Sequence, residues 1–199
     1  MGSYPASIFM QPLSAIAPWR QLSLAGLGLG LLLSSGCSQT APDEPNAQDV
    51  LASTNFDHLD GWTGDSPSLN RVHAHSGAYS VLVKPGVPYS LGYNNPLGRL
   101  SLARPHKLRI DAWVLRSRPF SKSLLVVEVK EPTTDAKIIW DGLDLSKEVP
   151  KLNEWQHIRH VVDIPPTVSA ASHIGVYLWG ADASQPTYLD DLTISRVPE

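Results

Sequence analysis

The stretch Lys107-Leu108-Arg109-Ile110-Asp111-Ala112-Trp113-Val114 alternates apolar with polar or aromatic side chains from end to end. In an extended chain successive side chains point to opposite faces. Leu108, Ile110, Ala112 and Val114 therefore share one face, and Lys107, Arg109, Asp111 and Trp113 share the other. This is the period of a half-buried strand, not of a helix. The same parity runs through His173 to Trp179, where Ile174, Val176 and Leu178 oppose His173, Tyr177 and Trp179. It recurs with Leu125, Val127 and Val129 opposed to Glu128 and Lys130, and with Ile158, Val162 and Ile164 opposed to His157 and Arg159.

Working outward, further strands are expected at Ser53 to Asp57, Tyr79 to Lys84, Tyr89 to Tyr93, Ala136 to Trp140 and Thr187 to Val197, about nine in all. Turn signals fall between them at Asp60-Gly61, Pro85-Gly86, Asn94-Asn95-Pro96, Pro132-Thr133, Asp141-Gly142, Pro165-Pro166 and Gln185-Pro186. Short strands at such spacing predict an all-β fold, a two-sheet antiparallel β-sandwich. No segment sustains helical periodicity, which argues against a parallel α/β sheet with its crossover helices. The 17 prolines and 14 glycines agree with strands joined by turns. A net charge of -3 without long runs of one sign offers no footprint for nucleic acid.

The N-terminal part reads differently. Arg20 precedes an apolar run from about Leu22 to Leu33, then Ser34-Ser35-Gly36-Cys37. The run is shorter than the ~20 residues that span a bilayer, and the order is that of a secretory signal peptide over residues 1–36, with Met10 as an alternative start. The small residues ahead of the only cysteine resemble the lipobox of bacterial lipoproteins, which implies diacylation of Cys37; Ser34 stands where that pattern usually has Leu. Residues 37–50 read as a flexible tether, and 51–199 as one folded domain. Ser38 stands where an aspartate would resemble an inner-membrane retention signal, so the lipoprotein resemblance implies the outer membrane of the cell envelope.

Three patterns follow in order: Asn55-Phe56-Asp57 with Gly61-Trp62, His75-Ser76-Gly77-Ala78-Tyr79-Ser80, and Tyr188-Leu189-Asp190-Asp191-Leu192. Together they resemble the galactose-binding-like jelly roll of carbohydrate-binding modules, over nearly all of the expected domain. Val176-Tyr177-Leu178-Trp179 ahead of Asp190-Asp191 is similar to uncharacterised lipoproteins of this fold from Bacteroidota-type bacteria, a likeness that names no function. The jelly-roll resemblance implies a structural calcium held by Asp57, by carbonyls of the turn at Ser76 and Gly77, and by Asp190. Asp57 stands in place of the family's longer Glu. The alternative is that Asp57 and Asp190 satisfy backbone groups without a metal.

A sugar site combines aromatic faces for C–H surfaces with polar groups for hydroxyls. Parity puts Trp113, Tyr177 and Trp179 on the non-core faces of their strands, with Arg109, Asp111, Glu128 and His173 as polar company. The expected function is non-catalytic binding of a glycan or other extracellular polymer by a membrane-anchored lipoprotein. The alternative is a structural or protein-interaction lipoprotein of the envelope, for which apolar Leu124 and Val126 on the outer face would speak. Trp62 and Trp155 read as packing residues, and Trp140 stays open between the two roles. His73 and His75 would share one side of a strand, yet no third zinc ligand accompanies them. Hydrolase, zinc-protease and phosphate-loop motifs are missing from the sequence.

Overall fold

The computed structural model describes residues 44–198. The expected signal peptide, Cys37 and most of the tether lie outside those residues. Ten strands make two antiparallel sheets, one more strand than the alternation predicted. They are β1 (Val50–Thr54), β2 (Leu69–Asn70), β3 (Ser80–Val83), β4 (Tyr93–Pro96), β5 (Lys107–Arg116), β6 (Lys122–Lys130), β7 (Lys137–Asp144), β8 (Gln156–Asp163), β9 (His173–Asp182) and β10 (Thr187–Arg196). The larger sheet runs β2-β3-β10-β5-β8, with β1 also paired to β10; the smaller runs β4-β9-β6-β7. The helices α1 (Leu97–Leu100) and α2 (Leu145–Glu148) are single turns.

The inner faces meet as parity demands. Leu108, Ile110, Ala112 and Val114 of β5 are fully buried, as are Leu125, Val127 and Val129 of β6 and Ile174, Val176 and Leu178 of β9. At roughly 1.5–3 kcal/mol per buried aliphatic side chain, this layer supplies most of the drive to fold. Arg116, buried at the end of β5, donates to the carbonyls of Val149 (2.8 Å), Pro119 (3.0 Å) and Ser146 (3.3 Å), which ties α2 and the following loop to the larger sheet.

β10 is irregular in one place. Asp190 pairs with Trp113 and Thr193 with Asp111, so three steps along β10 match two along β5, the signature of a β-bulge. Asp191 there has φ 48°. Leu189 ahead of the bulge and Leu192 and Ile194 behind it all reach the core.

Several sequence expectations are corrected. Asn94-Asn95-Pro96 is not a turn but part of β4, an edge strand, where proline costs no ladder bond on its free side. Asp141-Gly142 lies inside β7. His73 and His75 sit in the loop ahead of β3, not on a strand. Trp62 is 88% exposed, whereas Trp155 does pack, against Leu82, Leu115 and Tyr188 on the outer side of the larger sheet. Structure is present before Leu51: Ala47–Asp49 form a 3-10 turn, and buried Asp49 accepts from Arg196 Nε at 2.8 Å.

Candidate functional site

The outer face of the smaller sheet carries a row of aromatic rings. Trp179 on β9 lies edge-to-face with Trp140 on β7 (centroids 5.8 Å apart) and nearly parallel to Tyr89 (6.5 Å, 11°). Tyr89 in turn meets Tyr177 edge-to-face at 6.0 Å. Glycines make the row possible. A Cβ on Gly142 would stand 3.0 Å from Trp140 Cη2 and 2.7 Å from Leu124 Cδ2, so the indole extends across a position with no side chain. Tyr89 is held by a bridge to Trp179 and by Ser90, whose N–H donates to the Leu178 carbonyl at 3.1 Å and whose Oγ accepts from the Leu178 N–H at 3.0 Å. Tyr89 and Trp140 are 57% and 42% exposed, so their rings are presented to solvent. Leu124 and Val126, on the same face, are buried and form no docking patch.

At one end of this shelf a pocket of about 190 Å³ is lined by Tyr89, Tyr93, Tyr177, Asn94 and Glu128, with Gly92 and Gly175 in its wall. Glu128 sits across from Gly175 on one side and Trp140 on the other. Lys130 Nζ lies 3.6 Å from its carboxylate, and the proximity of Glu128, then the hydrogen bond to Asp135, raises the lysine pKa. Burial, followed by the charge of Glu128, pushes the Tyr177 phenol up to about 12, so it stays a protonated donor.

The aromatic set expected from parity is divided between the two sheets. Tyr177, Trp179 and Glu128 belong to the shelf, whereas Arg109, Asp111 and Trp113 lie on β5 in the larger sheet. Nor is Trp113 a bare platform: His75 stacks on it at 3.9 Å and His157 meets it edge-on at 5.6 Å. Asp111 is the hub of an ionic network beside it. Its carboxylate accepts from Arg109 Nε (2.5 Å) and Nη2 (3.1 Å) and from Arg159 Nε (3.1 Å), with His157 Nε2 at 3.2 Å. Burial lowers the His157 pKa, and the Asp111 charge opposes that shift. These groups line a cleft of about 470 Å³ whose rim includes Glu44 and Pro45.

The residues the resemblance assigned to calcium form two separate clamps. Asp57 Oδ1 accepts from the Ala78 (2.8 Å) and Tyr79 (2.9 Å) amides, and Oδ2 accepts from Asn55 Nδ2 (3.0 Å). These bonds, led by Ala78, lower its pKa. Gly77 lets the turn close over that carboxylate, since a Cβ there would stand 1.7 Å from Asp57 Oδ2, and its φ is +58°. Asp190, fully buried, accepts from the amides of His75 (2.8 Å) and Ser76 (3.1 Å) through Oδ2 and of Asp191 (2.7 Å) through Oδ1. Burial raises its pKa while these amides pull the other way. Each carboxylate thus spends three of its roughly four lone-pair sites on N–H donors. Asp57 and Asp190 accept backbone amides, as the metal-free alternative describes, and Gly77 lets the turn approach Asp57. His75 Nδ1 pairs with Asp191 at 2.6 Å, and among the described residues no cluster of three or more His, Cys, Asp or Glu side chains converges as metal ligands.

Sequence reasoning omitted Tyr89, Asn94 and Tyr93 from the site and left Trp140 undecided. Parity could have placed Trp140, since Glu128 lies directly opposite; Tyr89 precedes β4 in a loop, where parity is silent.

No protein-family model and no curated protein matches the chain. Solved structures do. One is the Clostridium thermocellum endo-1,4-β-D-xylanase 10B structure containing CBM22-1 and GH10 modules, complexed with xylohexaose: TM-score 0.51, 15% identity, 76% of this chain covered. The match spans 29% of that longer chain. The C-terminal family 22 carbohydrate-binding module of the same enzyme gives a TM-score of 0.48 at 17% identity, covering 78% of this chain and 100% of that one. The CBM22-1 xylan-binding domain of Paenibacillus barcinonensis Xyn10C gives 0.48 at 14% identity, with 78% and 99% covered. The two antiparallel sheets and the likeness to the first of these structures identify the fold as a jelly-roll β-sandwich, similar to that of carbohydrate-binding modules.

Proposed function

We propose that this domain binds a polysaccharide without altering it, through the outer face of the smaller sheet. The observation that carries the reading is the continuous row Trp140, Trp179, Tyr89 and Tyr177, whose partly exposed rings offer apolar faces to sugar C–H groups. Glu128, Asn94 and the Tyr177 hydroxyl stand at its end as partners for sugar hydroxyls. Exposed aromatic rings with a few fixed polar groups are the composition of such a binding site. The envelope-protein alternative loses support, because Leu124 and Val126 are covered.

The test is retention on insoluble polysaccharides, starting with xylan and a panel of β-glucans and galactans, for the protein and for Trp179→Ala and Trp140→Ala. Binding by at least one polymer, lost in both variants while the circular dichroism spectrum persists, is the expected result. No retention on any polymer, or retention unaffected by both substitutions, removes the reading.

Anchoring belongs to the same proposal: acylated Cys37 would hold the domain at the outer membrane, close to extracellular or envelope polymers. Its support is the sequence order around Cys37. Metabolic labelling with a fatty-acid analogue should mark the protein and fail with Cys37→Ala; equal labelling of the variant contradicts it.

A further inference from the structure

A second, more apolar cavity adjoins the shelf. At the seam where β1 of the larger sheet meets β4 of the smaller, a space of about 250 Å³ is lined by Ala52, Phe56, Leu59, Tyr93, Leu192 and Ile194. It is reached from the surface, since Ser53 at its edge is exposed and Ala52, Leu59 and Tyr93 are only half-buried. Gly92 and Tyr93 wall this cavity and the 190 Å³ pocket of the shelf alike. The two spaces are the two sides of one short piece of backbone, and Gly92 places no side chain between them. The backbone there presses so close to β9 that a Cβ on Gly92 would stand 2.1 Å from the Val176 carbonyl oxygen.

The cavity is also held in shape. Phe56, in its wall, adopts φ 63°, a conformation that bulky residues rarely take. The Phe56 N–H donates to Thr54 Oγ1 at 2.9 Å, and the Leu59 N–H donates to the Phe56 carbonyl at 3.2 Å, fixing the turn with the ring buried. Strain kept in place beside a cavity is a feature found at ligand sites. As for size, an apolar cavity of roughly 150 Å³ stays dry and accepts benzene. The space here is larger and has two aromatic walls, Phe56 and Tyr93.

We propose that this cavity receives an aromatic substituent of the glycan bound on the shelf, an aryl ester or ether whose sugar occupies the Glu128 pocket and whose ring passes over Gly92 to pack on Phe56 and Tyr93. The inference rests on the glycan reading and adds the substrate class: aryl-decorated in preference to bare sugar chains.

The experiment compares methyl with 4-nitrophenyl β-xylosides, β-glucosides and β-galactosides by calorimetry. It uses the protein, Ala52→Phe, which fills the cavity from β1, and Leu59→Phe, which narrows it from the loop. For at least one sugar the nitrophenyl glycoside should bind about tenfold or more tightly than the methyl glycoside, a gap of about 1.4 kcal/mol. That gap should close in a folded variant, with retention on unsubstituted polysaccharide unchanged. Equal affinity of the paired glycosides, or a gap that survives both substitutions, overturns the aryl site and leaves the glycan reading standing. Failure of every glycoside and every polysaccharide to bind overturns both.

Discussion

Replacing Asp190 tests the clamp that joins the loop before β3 to the last strand. The buried carboxylate accepts three backbone N–H groups, from His75, Ser76 and Asp191, at 2.7 to 3.1 Å. Asp190→Ala deletes all three acceptors at once. A hydrogen bond to a charged group contributes about 1.5–3 kcal/mol, and an orphaned buried donor costs about 1–3 kcal/mol. Part of the loss is recovered if water reaches the loop, so about 3 kcal/mol is the expected destabilisation. In urea, with m near 2 kcal/mol/M, the midpoint should fall by about 1.5 M at unchanged m. Asp190→Asn should fall between the variant and the native protein, because its oxygen can replace Oδ2 and keep two amides while its Nδ2 confronts the third. Calcium or EDTA should move neither midpoint, since the oxygens already face donors. A loss below about 1 kcal/mol in Asp190→Ala, or a calcium-dependent midpoint that disappears in Asp190→Asn, refutes this account.

Three other outcomes follow from the same geometry. Gly142→Val should displace the Trp140 ring by contact with its Cη2 and Cζ3 atoms, weakening polysaccharide retention about tenfold, or about 1.4 kcal/mol; unchanged retention with unchanged tryptophan fluorescence contradicts it. Asp57 has a depressed folded-state pKa, so it contributes stability above the ordinary aspartate pKa and loses it as pH falls through the lower folded value. Between about pH 5 and pH 2 the melting temperature of the native protein should therefore fall more steeply than that of Asp57→Asn; parallel curves would show that the Ala78 and Tyr79 amides do not favour the carboxylate. Phe56→Gly should relieve positive-φ strain but remove a fully buried ring, and a net destabilisation of about 3 kcal/mol in urea unfolding is expected; a more stable variant would mean that backbone strain outweighs packing.

Parity read the inside of the sandwich correctly because it depends only on the pleat. Leu108, Ile110, Ala112 and Val114 are all buried, and Trp113 and Trp179 are both on outer faces. Sheet membership is a different kind of information. β5 pairs with β8 and β10, whereas β9 pairs with β4 and β6, and nothing in either strand's own sequence specifies those neighbours. Outward aromatics on two strands therefore looked like one site when they face opposite directions. Asn94-Asn95-Pro96 and Asp141-Gly142 misled for a related reason: turn-forming residues also serve edge strands and positions overlain by a neighbouring ring. Asp57 and Asp190 stand out in the sequence, but their partners in His75, Ser76, Ala78 and Tyr79 lie 21 to 115 residues away and only the folded chain shows that they are amides.

The bulge in β10 works as a phase change in the strand's two-residue rhythm. Leu189 is odd-numbered and Leu192 and Ile194 are even-numbered, yet all three enter the core, because one additional residue is spent near Asp191. Were Asp191 kept and the ladder made regular, Leu192 and Ile194 would turn out to water and Thr193 and Ser195 in. The additional residue is thus what lets an odd-numbered and an even-numbered apolar set share one face.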